Sequence, residues 1–73
     1  MATLEATSTV QRIGETAGEI WRILDTEGPM KMTQLVKQAN APRDVVMQAV
    51  GWLAREEKIT VDEQSRSRFI SLC

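Results

Sequence analysis

The two prolines do most to constrain this chain. Pro29 follows Gly28 and Pro42 follows Ala41. Proline has no backbone N–H and its ring clashes with the preceding turn, so neither can lie inside a helix. Gly28 accepts the left-handed conformation that ends a helix, and Pro29 stops it from resuming. Pro42 fits the first position of a new helix, where its missing N–H costs nothing, and it drives Ala41 into the extended geometry of an N-cap. The chain therefore divides into a long segment before residue 28, a short one between the prolines, and a third from Pro42 onward.

Each segment carries its own period. Val10, Ile13, Ala17, Ile20 and Leu24 recur at spacings of three and four, the stripe of an amphipathic helix. Ser8 followed by Gln11 three residues later matches a capping box, which starts this helix at Ser8 and leaves residues 1–7 as a disordered tail. Met30 to Met32 reads as a short extended piece. Thr33 then caps a second helix with Leu35, Val36 and Ala39 inward, and Asn40 provides a left-handed exit. Helix 3 is expected to reach about Lys58, with Val45, Val46, Ala49, Val50 and Leu53 on its core face and Trp52 at the margin.

Ile59 to Asp62 and Arg68 to Leu72 are strand-like runs joined by the polar turn Glu63 to Ser67. Helix, extended piece, helix, helix and hairpin is the order of a winged helix-turn-helix. The expected fold is thus one small α+β domain of three helices and a two-stranded C-terminal wing, with Met30 to Met32 as a candidate third strand.

A 73-residue chain buries only about 60% of its unfolded surface, so its stability has little margin. Cys73 is the lone cysteine and histidine is absent, which excludes an internal disulfide and a zinc site and fits a reducing cytoplasm. No long apolar run or leader-like N-terminus is present, so a membrane span is not expected. A metal or cofactor is not expected either. Catalysis finds no support, because no acid, base and nucleophile set shows a recognisable spacing and no Gly-rich phosphate loop occurs. Glu15 and Glu19 read as solvating groups on the polar face of helix 1.

Two binding functions remain. Helix 3 holds the position of a recognition helix, where Arg43, Gln48 and Arg55 are candidate DNA contacts and Arg66 and Arg68 of the wing are candidate phosphate contacts. Lys31 and Lys37 would extend that patch. Electrostatic support is weak, since nine basic and ten acidic residues give a net charge of −1 while phosphate attraction supplies most non-specific affinity. The other function is protein interaction or homodimerisation without DNA, with Gly14, Gly18, Trp21, Met47, Gly51 and Trp52 as candidate contacts.

Gly14, Gly18 and Gly51 each cost about 1 kcal/mol relative to alanine inside a helix. Close packing within the monomer, with Trp52 seated over a Gly14–Ala17–Gly18 trough, accounts for two of them, and both tryptophans are first expected in the core. A dimer surface at the same trough is the alternative. Glu15 and Glu19 rule out a membrane-embedded small-xxx-small reading.

The run Ile13-Gly14-Glu15-Thr16-Ala17-Gly18-Glu19-Ile20-Trp21, the run Gly51-Trp52-Leu53-Ala54-Arg55-Glu56 and the pair Lys58-Ile59 together resemble a family of small stand-alone bacterial winged helix-turn-helix proteins of unknown function. The resemblance covers nearly the whole chain and implies the fold, with no activity and no catalytic residues. Glu57 stands where the family pattern has glycine. A left-handed backbone there would burden glutamate by about 1 kcal/mol or more.

Overall fold

The computed structural model describes residues 2–64 and 66–73, with side chains from Thr9 onward. Its elements run α1 Ala2–Glu27, β1 Met30–Lys31, α2 Met32–Gln38, α3 Arg43–Arg55, β2 Ile59–Gln64 and β3 Ser67–Leu72. All three strands pair antiparallel in the order β1-β3-β2. The extended piece after Pro29 is therefore a true strand, pairing Met30 with Ile70 and Lys31 with Phe69. The wing hairpin is in register from Ile59 opposite Leu72 to Gln64 opposite Ser67.

The core gathers Ala17, Ile20 and Leu24 of α1, Met32 and Leu35 of α2, Val46, Ala49, Val50 and Leu53 of α3, and Ile59 and Ile70 of the wing. Ile70 is fully buried in the middle strand, and Ile20, Leu35 and Val46 are sealed with it. α1 packs chiefly on α3, as their facing stripes require.

Several boundaries depart from the sequence expectations. α1 begins before Ser8, which lies within the helix rather than at its cap; the Ser8 side chain is outside the described residues. Val10 is 52% exposed instead of buried, because the helix outruns the body it packs on and Ile13 is the first stripe residue against the core.

α2 starts at Met32, ahead of Thr33. The side chain of Gln34 accepts from the Lys31 backbone N–H at 3.4 Å, and the gain of this earlier start is the burial of Met32 on the inward face. Its exit needs no left-handed residue. Ala39 is extended (φ −70°, ψ 135°) and donates to the Leu35 carbonyl at 2.9 Å. The Asn40 N–H then donates to Glu19 Oε1 at 3.3 Å, so Glu19 does more than solvate α1.

At α3 the cap is Pro42 rather than Ala41. Pro42 is extended (φ −59°, ψ 151°) and its carbonyl accepts from Val46 at 3.0 Å, a role that needs no N–H. The helix closes at Arg55, three residues short of Lys58. Glu57 is left-handed (φ 60°); its N–H donates to the Ala54 carbonyl and that of Lys58 to Leu53, each at 3.0 Å. This is the paired 5→2 and 6→1 bonding of a Schellman motif, normally built on glycine. α1 closes with the simpler single-bond αL motif at Gly28 (φ 84°), whose N–H donates to the Leu24 carbonyl at 2.8 Å.

Candidate nucleic-acid interface

The outward face of α3 shows Asp44, Gln48, Gly51 and Arg55 to solvent, while Met47 and Ala54 are half-buried against the core. At roughly 100° per residue, Arg43 falls on one margin of this face and Trp52 on the other. Each margin borders a different surface.

On the Arg43 side, Lys31 of β1, Arg43, Arg66 in the wing turn and Arg68 of β3 converge on a cleft of about 240 Å³ completed by Met32, Thr33 and Ser67. The sheet explains the convergence. β1 lies beside β3, so the strand that carries Arg68 is flanked by the one that ends at Lys31, and α2 begins directly after it. Among the described residues no carboxylate lines this cleft. One of its four cations is partly engaged, because Arg68 Nε donates to Glu63 Oε2 across the hairpin at 3.1 Å, with both side chains well exposed. Asp44, next to Arg43, accepts the Val45 backbone N–H at 2.9 Å in the first turn of α3. Gln48 and Arg55 lie outside the cleft on the helix face, so the structure joins Arg43, Arg66 and Arg68 but not all five candidate contacts.

On the Trp52 side an open groove of about 790 Å³ runs between α1 and α3, with Gly14, Gly18, Trp21 and Trp52 in its walls. The tryptophans do not belong to the core: Trp21 is 39% and Trp52 40% exposed. Nor does Trp52 fill the glycine trough, because a Cβ built on Gly14 or Gly18 meets nothing within 4 Å, and the same is true of Gly51. Packing density in the monomer thus explains none of the three helical glycines. Met47 and Gly51 sit away from this groove, on the α3 face, so the six candidate partner contacts also divide between two surfaces.

Among the described residues no cluster of His, Cys, Asp or Glu is arranged to hold a metal, and no helix is long and apolar enough to cross a membrane. The sequence named Lys31 only as an extension of the basic patch and gave no hint of the Glu63–Arg68 pair, which depends on the two residues facing each other in the β2–β3 register.

Comparison with known proteins agrees with this architecture. The chain is 33% identical over 63 residues to an uncharacterized protein of Methanocaldococcus jannaschii, an alignment covering 84% of this chain and 90% of the relative. Because that relative is archaeal, similarity to this chain is not confined to bacterial proteins. The family model described as a winged helix-turn-helix domain (DUF2582) matches residues 8–72. With a match from the first turns of α1 to the last residue of β3, this chain belongs to the DUF2582 winged helix-turn-helix family.

Proposed function

We propose that the protein is a DNA-binding module of regulator type that holds the duplex backbone through its basic cleft. The observation that carries this reading is the convergence of Lys31, Arg43, Arg66 and Arg68 on one cleft beside the first turn of α3 that no carboxylate lines among the described residues. A net charge of −1 argues against a broad electrostatic footprint. It does not oppose a local one, because charges farther apart than about 10 Å are largely screened at ordinary ionic strength.

With the wing and Arg43 on phosphates, the exposed α3 face would lie toward the major groove. Gln48 and Arg55 carry the side-chain chemistry for reading adenine and guanine edges. Such a module acts by binding alone and requires no cofactor, and its exposed thiol at Cys73 suits the cytoplasm. The groove beside Trp52 favours a second, compatible role in protein contact.

The test is fluorescence anisotropy of a labelled duplex at about 50 mM salt, where phosphate contacts are strongest. The double variant Arg66→Glu/Arg68→Glu should lose binding, and Gln48→Ala should alter sequence preference while non-specific affinity persists. Duplex binding that survives the double reversal would refute the wing contact.

A further inference from the structure

The groove between α1 and α3 has walls that a duplex would avoid and a second protein chain would not. Glu56, Glu57 and Lys58 line it beside the two exposed tryptophans, and Lys58 pairs with Glu56 at 3.6 Å, so no surplus positive charge draws phosphate there, whereas aromatic rings are the side chains most enriched where proteins bind one another. Its α1 wall is self-complementary. Trp21 projects as a knob, and the space over Gly14 and Gly18, where a side chain would meet nothing within 4 Å, is a hole on the same face of the helix.

We infer that a second copy of this chain occupies the groove, with the two α1 helices packed antiparallel and crossing at Gly18. Trp21 lies three residues after Gly18 and Glu15 three before it. An antiparallel crossing therefore sets each Trp21 over the open floor between the partner's Gly14 and the partner's Gly18. The arrangement is isologous, so the same knob enters the same hole twice.

The flanking charges select this direction. Glu15 and Arg22 are two helical turns apart on one flank and line the same shallow cleft as Arg12 and Glu19, which lie farther round the helix from Gly14 and Gly18. Neither Glu15 nor Arg22 makes an ion pair within its own chain among the described residues. In the antiparallel crossing Arg22 is level with the partner's Gly14, about 1.5 Å along the axis from the partner's Glu15. The two-fold axis keeps the flank on the same side, so two Arg–Glu pairs form. A parallel pairing would put the Glu15–Arg22 flanks of the two copies on opposite sides of the seam, so that neither pair would form. The helix-weakening glycines that the monomer does not require are the residues that leave room for the partner's indole.

Sedimentation equilibrium of the full chain at about 0.1 mM tests this, a concentration at which even weak self-association is populated. The expected result is a mass twice the 8.2 kDa of the chain. Trp21→Glu should weaken association by ~30-fold or more. Glu15→Arg and Arg22→Glu should each weaken it by ~10-fold, and the double reversal Glu15→Arg/Arg22→Glu should restore it. Circular dichroism on every variant shows whether the fold is kept; should Trp21→Glu unfold, the charge reversals alone decide. A monomeric wild type, a dimer indifferent to these reversals, or a double reversal that fails to restore association would overturn the proposal.

Discussion

The backbone N–H of Lys58 reaches the carbonyl of Leu53 at 3.0 Å across a left-handed Glu57. That bond turns the chain out of α3 and delivers Ile59, 4% exposed, into the core as the first residue of the wing. The geometry suits glycine, and glutamate holds it at a cost because its Cβ crowds the neighbouring carbonyl oxygen.

Glu57→Gly should therefore stabilise the fold by about 1 kcal/mol. For a domain of this size that is a rise in melting temperature of roughly 4–8 °C, read by thermal denaturation. An unchanged or lowered midpoint would mean that the turn is not strained.

Truncating the centre of the sheet should have the opposite effect. Ile70 is wholly buried on the middle strand, opposite both Met30 and Val61. Ile70→Ala removes that packing and leaves a cavity, with an expected loss of about 2–5 kcal/mol. In so small a domain this should leave much of the protein unfolded at room temperature, visible as a shifted urea midpoint or a missing transition.

Glu19 ties the turn between α2 and α3 to α1 through the Asn40 N–H. Glu19→Ala should cost about 1 kcal/mol and, more tellingly, speed hydrogen exchange of the Asn40 amide while leaving the Ile70 amide slow. Equal acceleration at both amides would indicate a global rather than a local effect.

Much of this architecture was readable from the chain, and the reasons are local ones. The prolines and the periods between them fix three helices because the physics involved spans only a few residues: Gly28 ends α1 with its own backbone, and Val45, Val46, Ala49, Val50 and Leu53 share a face by helical geometry alone. The misplaced features all depend on contacts distant in sequence. Asn40 was expected to go left-handed, but a carboxylate 21 residues away satisfies its N–H instead. Thr33 is the natural cap by local sequence, yet burial of Met32 against the assembled core moves the cap back two residues to Lys31.

The binding surfaces divide in the same way. Arg66 and Arg68 announce themselves as close neighbours in the wing, whereas Lys31 joins them only because β1 docks beside β3. The tryptophans read as core residues because large aromatics usually are; nothing local shows that Trp21 and Trp52 stand on the walls of an open groove.

The most direct measurement of the proposed function is the salt dependence of duplex binding, followed by anisotropy between about 50 and 200 mM salt. Three to four phosphate contacts, from Lys31, Arg43, Arg66 and the Glu63-paired Arg68, predict a slope of log affinity against log salt near −3. Absence of binding at the low-salt end, or a slope near zero, would contradict a cleft that works by gripping the phosphate backbone.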